Sequence, residues 1–564
     1  MSRGLKIVWM IFIVGVCQGQ VIQIDSVQKK LCVSQGLNYI QYYDKEVWKS
    51  FFNKWSGDER ITITLFGDSH VQPDIYPGEM RRKMQAVRGD GGFGMAFPYS
   101  AAKTYSAIDY FSSHTGNWLF AKSLEFKPKL PLGVSGVTIR TNEGDASLRL
   151  KFKKPLPPDY RRLKVYSRQD KRSFDFTLLA GGQEIFIDVD SVGQKPIEVI
   201  LEKVDSSIEI QLKKQWSYQN EFEFYGVSIE SVTPGGVLLH SLGIGGSRYG
   251  SLLEEKFLEE QLPTLQPDLV ILDFGTNDFL YDNQIPVYLE DQIIRVIQKV
   301  RKTCPGTTIL LTTVQDMNRK GMNVTSSGFF SDLIRKVAKS QSCAFYDWYW
   351  ISGGPEKMTT WMENGLAQQD MIHLTMKGYT LKGQMMAEAL MKTMKSLENQ
   401  NVQDSMLYNL DSLKRSRLGA LDSLSKDSVK TSIPAHINFV RHKIVKGETL
   451  KSIAKLYHVR VGDLKRTNGL QNSVIIEGNY LNIEVREAEV KNPSAKRIKA
   501  KTKNPGKDKY LKHKVKEGDT LSELALKYKV GVIQIQKLNG LKSSRIRTGQ
   551  NLKIKPLAVP VRGR

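Results

Sequence analysis

Three short stretches of the chain carry side chains that could act together in nucleophilic chemistry. Gly67-Asp68-Ser69-His70 follows the β-branched, apolar run Ile61-Thr62-Ile63-Thr64-Leu65-Phe66. A serine at the carboxyl end of a parallel strand faces the crevice where such sheets bind ligands, and a neighbouring base would make it a nucleophile. Gly275-Thr276-Asn277-Asp278 closes the near-continuous apolar run Asp268–Phe274, so Asn277 could direct an amide into the same crevice. Asp370-Met371-Ile372-His373 lies just before a helix expected from about Thr375. A carboxylate three residues before an imidazole can reach it within one loop and fix its tautomer. Taken singly, the first two have ordinary alternatives, Ser69 as a helix N-cap and Asn277 and Asp278 as turn residues, and a lone Asp-x-x-His is a weak signal. The C-x-x-C pairs and His-rich spacings of a zinc site are absent, and no metal or organic cofactor is expected.

Those side chains need a frame. Ile61–Phe66, Val237–His240, Asp268–Phe274, Thr308–Val314 and Ala344–Trp348 read as strands, with helices over about 287–302 and between the last two strands. That alternation predicts a parallel, doubly wound sheet. Aromatic residues in 21–59 suggest a packed helix or arm, and glycine-rich 88–98 reads as a loop. From 103 to 235 the rhythm changes to short alternating segments such as Ser147–Phe152 and Glu184–Val189, separated by Gly, Pro, Asp and Asn. They predict a β-sandwich inserted between the first two strands of the parallel sheet.

The 564 residues are enough for roughly three to five domains, and 40% hydrophobic content excludes a wholly disordered chain. Charge is unevenly spread. Residues 436–564 hold 30 Lys+Arg against 10 Asp+Glu, which is +20 of the chain's net +24. A basic tail points to an anionic polymer. Arg3 and Lys6, the apolar run Ile7–Val16 and the small or polar Cys17-Gln18-Gly19 have the layout of a secretory leader over 1–19. Lipid attachment at Cys17 is a less favoured alternative, because Val16 stands where a small residue is usual. No apolar run reaches the roughly 20 residues of a membrane span. The expected location is therefore secreted or periplasmic, which argues against nucleic acid as the partner. Cys32, Cys304 and Cys343 remain; the last two each precede a strand and either pair or form separate buried thiols.

The tail contains a repeat. His442-Lys443 recurs as His513-Lys514, Gly447/Thr449/Leu450 as Gly518/Thr520/Leu521, Asn468-Gly469-Leu470 as Asn539-Gly540-Leu541, and Leu481/Ile483 as Leu552/Ile554, every pair 71 apart. Two small units follow, at 440–485 and 511–556, joined by a basic linker at 486–510 and preceded by a polar linker at 396–435.

The three stretches, in this order, resemble the SGNH (GDSL-type) hydrolases over about 60–110 and 236–395. The resemblance implies a hydrolase domain from 20–102 and 236–395, with Ser69 as nucleophile, His373 as base and Asp370 as its orienter. It also implies an oxyanion hole from the Ser69 amide, Asn277 and a glycine of Gly243-Ile244-Gly245-Gly246. Gly246 fits best, with Gly243 and Gly245 open. His70 resembles a branch acting on acetylated polysaccharides; it is assigned no catalytic part, and Asp68 is expected to hold the turn. The repeats resemble LysM modules, which bind N-acetylglucosamine-containing glycans, chiefly peptidoglycan. Gly447, Thr449, Leu450, Asn468 and Gly469, with Gly518, Thr520, Leu521, Asn539 and Gly540, are the candidate glycan contacts. The sandwich at 103–235 loosely resembles carbohydrate-binding modules inserted in some peptidoglycan O-acetylesterases, where Trp118 and Trp216 either stack on sugars or belong to the core. The whole implies a wall-associated serine esterase removing O-acetyl groups from peptidoglycan. The rivals are an O-acetyltransferase of the same fold, a generic ester hydrolase and a non-catalytic wall-binding scaffold.

Overall fold

The computed structural model describes residues 26–125, 127–192, 196–398, 437–443, 448–456, 480–486, 511–515 and 549–554, with single positions between the last segments. The leader at 1–19, the linker beyond Glu398 and the basic linker after Arg486 lie outside the described residues. The chain divides into two compact units, Met1–Ile433 and Pro434–Arg564.

Five strands form the parallel sheet of the first unit: β1 (Ile61–Gly67), β2 (Val237–Gly243), β3 (Leu269–Asp273), β4 (Thr308–Thr312) and β5 (Ala344–Tyr346). Their spatial order is β2-β1-β3-β4-β5, all parallel. Every β1 residue is buried because both faces are covered. Ile63, Leu65, Leu269 and Ile271 face one side, with helix α1 (Ile75–Arg88) and helix α4 (Met376–Glu398). Phe66, Val270, Leu272 and Leu311 face the other, with α2 (Leu289–Thr303) and α3 (Ser326–Ser340). The N-terminal arm supplies Trp48 and Phe51 to the first core, and Gln41 bridges to Phe345 beside the sheet edge. Chain order reverses between β1 and β3, so the crevice lies at their carboxyl ends.

The insertion between β1 and β2 holds two antiparallel sheets around one apolar core. Its first strand lies earlier than the alternating segments indicate. The glycine-rich stretch read as a loop contains a strand, Gly92–Ala96, paired antiparallel with Phe222–Glu230. Glycine serves close approach here, not a bend. A Cβ on Gly94, at φ +91°, would sit 2.3 Å from the Leu239 carbonyl oxygen of β2. This strand is where the sandwich meets the parallel sheet.

Cys32, Cys304 and Cys343 are free, buried thiols. The pairing alternative for Cys304 and Cys343 therefore fails in this structure. Burial pushes both thiols up, Cys304 to about 11 and Cys343 to about 12.

In the second unit, Ile437–Lys443 pairs antiparallel with Tyr480–Arg486, and Leu511–Lys514 with Asn551–Ile554. Ile453, Leu464 and Leu481 lie in one small core; Leu524, Ile535 and Leu552, each 71 residues later, lie in the other. The sequence repeat is thus a repeat of packing positions. Among the described residues no helix is long and apolar enough to cross a membrane.

Gly94→Ala should cost about 2–4 kcal/mol, from positive φ plus backbone overlap. Urea denaturation checks this; an unchanged midpoint would mean the two layers can separate freely.

Candidate functional site

The turn after β1 is built to expose one hydroxyl. A Cβ on Gly67 would lie 2.2 Å from Val71 Cγ2 and 2.8 Å from the Asp273 carbonyl oxygen, so glycine is needed for the chain to fold back. The Asp68 carbonyl accepts from the amides of Val71 and Gln72, both at 3.1 Å. Its Oδ1 accepts from the His70 amide at 2.9 Å. Ser69 stands at the tip, with Oγ 2.9 Å from His373 Nε2.

His373 arrives on the loop before α4. Its Nδ1 lies 2.7 Å from Asp370 Oδ2, and Asp370 Oδ1 accepts from the amides of Ile372 and His373, each at 3.0 Å. Met371 between them has φ +52°, the left-handed turn that brings carboxylate and ring together. Burial pushes the Asp370 carboxyl up, but the His373 ring and the two amides outweigh it and hold it below the usual range. The carboxylate therefore stays ionised beside the ring. Gln315 donates to the Ile372 carbonyl at 2.8 Å, tying this loop to the chain after β4.

Beneath His373 lies His70, with ring centroids 5.1 Å apart. His70 is buried, with Nδ1 2.8 Å from the Tyr379 hydroxyl and Nε2 3.4 Å from Gln315 Nε2. An amide NH₂ only donates, so Nε2 accepts and Nδ1 carries the proton. Burial first, then the charges of His373 and Lys382, pushes His70 well below its ordinary pKa. It therefore stays neutral.

Asn277 follows Gly275, whose φ is +129° and whose Cβ would meet the Phe330 ring at 2.5 Å. Asn277 Nδ2 donates to the Ser247 carbonyl at 3.0 Å and to Asp68 Oδ2 at 3.2 Å, which places it beside the serine turn. In the glycine loop, the Ile244 amide donates to the Gly67 carbonyl and the Ser247 amide to the Ile244 carbonyl. The Gly245 amide donates to Gln72 Oε1 at 2.6 Å. Among the described residues the Gly246 amide (φ +88°) and the Ser69 amide donate to nothing. Gly245 is close to Ser69: a Cβ there would lie 3.7 Å from Ser69 Cβ.

Below the site is a group that no motif indicated. Asp273, at the end of β3, accepts from Lys382 Nζ of α4 at 2.8 Å, and also from Tyr76 of α1 and Thr312 of β4. Lys382 is 2% exposed. Asp273 could have been noticed as a carboxylate ending an apolar strand; its lysine partner, 109 residues away on a helix, could not.

The other sequence candidates divide. Trp118 is buried in the sandwich core, whereas Trp216 is 59% exposed and stacks parallel to Tyr218. In the tail, Thr449 and Ser452 cap helix Leu450–Leu456 reciprocally, each amide donating to the other's hydroxyl. Leu450 is corrected: it is 2% exposed and fills the core, so its side chain is not available to a glycan. Asn539 ties the Ile535 and Lys553 backbones together. Gly447, Asn468, Gly469, Gly518, Thr520, Leu521 and Gly540 lie outside the described residues. Among the described residues no cluster of three or more His, Cys, Asp or Glu could hold a metal ion.

The sheet order and its covered faces are those of an SGNH-type acyl hydrolase. Residues 220–381 match the GDSL-like Lipase/Acylhydrolase family, and residues 442–484 and 513–555 match the LysM domain. The chain therefore carries a GDSL-like acylhydrolase domain and two C-terminal LysM domains. The first match begins inside the insertion, just before its last strand, and leaves out β1 and Ser69, which join the domain through the fold alone. A solved structure of a peptidoglycan O-acetylesterase aligns with TM-score 0.51 at 21% identity, covering 63% of this chain and 97% of that one. Among curated proteins, the probable peptidoglycan endopeptidase LytE of Bacillus subtilis is 33% identical over 113 residues, 20% of this chain and 30% of LytE. The N-acetylmuramoyl-L-alanine amidase sle1 of Staphylococcus epidermidis is 32% identical over 113 residues, 20% of this chain and 31% of that protein. The chain thus spans less than a third of the length of these relatives.

Burial pushes Asp68 up to about 7, and Asp278 likewise to about 7. Unfolded carboxyls titrate near 3.9, so between about pH 4 and 7 the native state holds protons that the unfolded chain has released. That stability is fully present below about pH 4 and is lost as pH rises through about 7. Asp68→Asn should flatten the fall in unfolding midpoint across this range; an unaltered slope would count against a neutral carboxyl at 68.

Proposed function

We propose that the chain is a secreted or periplasmic serine esterase that removes O-acetyl groups from peptidoglycan or a related N-acetylglucosamine-containing glycan, held on that polymer by its LysM pair. The observation that carries this is the Ser69–His373–Asp370 hydrogen-bonded relay on the same chain as two LysM domains. His373 takes the Ser69 proton as Oγ attacks the acetyl carbonyl. Asp370 holds the ring in the tautomer with Nδ1 protonated and stabilises the imidazolium. The tetrahedral oxyanion receives the Ser69 and Gly246 amides and one Asn277 Nδ2 proton, which leaves Asp68 Oδ2 while the other stays on the Ser247 carbonyl. His373 then returns the proton to the sugar oxygen, and water resolves the acetyl-enzyme by the same route. Tethering raises local substrate concentration without any new contact at the serine.

The test compares acetate release from O-acetylated and chemically de-O-acetylated cell wall. Wild-type protein should release acetate only from the first, and Ser69→Ala from neither; equal release by the two proteins would reject the assignment. Asp370→Asn should keep KM and lower kcat by up to about 10⁴. Asn277→Ala should lower kcat by about 10²–10³. Both are read from steady-state kinetics on a soluble acetyl ester.

A further inference from the structure

The glycine loop beside the serine is gripped from outside the hydrolase sheet. Ser123 follows the sandwich strand Leu119–Lys122, and its hydroxyl lies 2.6 Å from that of Ser247. The two residues are 4% and 1% exposed. Ser123 is itself fixed, its amide donating to the Gly136 carbonyl at 2.8 Å. Gly136 has φ +71°, and a Cβ there would lie 3.1 Å from Ser123 Oγ, so glycine leaves the space the hydroxyl occupies. The next residue, Leu124, lies against Gly246, where an added Cβ would come within 3.4 Å of Leu124 Cβ. On its other side Ser247 offers its carbonyl to Asn277 Nδ2 at 3.0 Å. Contacts therefore run from the insertion to both outer donors: Ser123 through Ser247 to Asn277, and Leu124 to Gly246.

An oxyanion hole works through donors that are in place before charge develops. Two successive glycines give 245–246 little stiffness of their own. Gln72 anchors the loop on one side, through the Gly245 amide. We infer that Ser123 anchors it on the other: it is a positioning residue, lent by the sandwich, that sets the Gly246 amide and the Asn277 side chain at the distance the oxyanion needs. The insertion is then part of the catalytic geometry. This rests on the reading of Gly246 and Asn277 as oxyanion donors.

The experiment is a double-mutant cycle in the full-length protein with 4-nitrophenyl acetate as substrate. It uses Ser123→Ala, Asn277→Ala and the pair, with Ser69→Ala as reference and thermal melts to score folding. Ser123→Ala should lower kcat about 10–100-fold with little change in KM, the cost of a displacement of order 1 Å. In the Asn277→Ala background the same substitution should cost clearly less, because one donor it positions is already gone. Wild-type kcat in folded Ser123→Ala overturns the inference; an equal loss in both backgrounds also overturns it, since that marks general loosening. Full turnover by Ser69→Ala, or by Asn277→Ala, instead sinks the parent assignment. If Ser123→Ala does not fold, Ser247→Ala cuts the same bond from the hydrolase side and enters the same cycle, with the same outcomes deciding.

Discussion

The buried carboxylate of Asp273 decides how the two halves of the site meet. Its three donors come from three elements: Tyr76 on the helix after the serine turn, Lys382 on the helix after the histidine loop, and Thr312 on β4. A charge this deep survives only when paired and hydrogen-bonded, and removing one partner of such a pair typically costs about 3–5 kcal/mol. The requirement fixes α1 and α4 to the same point at the end of β3. Ser69 and His373, 304 positions apart, sit just before those helices and inherit the alignment. The 2.9 Å contact between them is thus a consequence of electrostatics one layer below.

Much of the frame was legible in the sequence. β1 and β3 stand out because a strand covered on both faces must be apolar at nearly every position, and few other elements have that need. The serine turn and the Asp-x-x-His loop are local, so spacing alone carried them. The asparagine was legible for the same reason, at the end of a strand. What sequence could not show was anything made by two distant segments. Lys382 looks like any helical lysine until Asp273 is found beneath it, and Gln72 has no pattern linking it to Gly245. The stretch 88–98 misled for a different reason. Glycine marks both loops and tight backbone contacts, and only the approach of β2 and of strand Phe222–Glu230 tells them apart. Leu450 misled because a recurring residue in a binding module is as readily a core residue as a contact.

The insertion also changes how the domain reads as a sequence. More than a hundred residues separate β1 from β2, yet the two strands pair in register from Ile61 with Val237 to Gly67 with Gly243. The β1–β2 pairing is therefore non-local, of the kind that costs loop-closure entropy and slows folding. The strand Gly92–Ala96, joined to one sheet and pressed on the other, links the two layers within that long connection.

The neutral imidazole of His70 has a further consequence. In the proposed mechanism the upper ring becomes cationic and then gives the charge back, twice in each cycle. A second ring 5.1 Å below that also gained a proton would oppose this by like-charge repulsion. Sealed from water and saturated by Tyr379 and Gln315, the lower ring is a spectator to those events. It acts as a polar floor of fixed dipole, and the charge that comes and goes belongs to one imidazole alone.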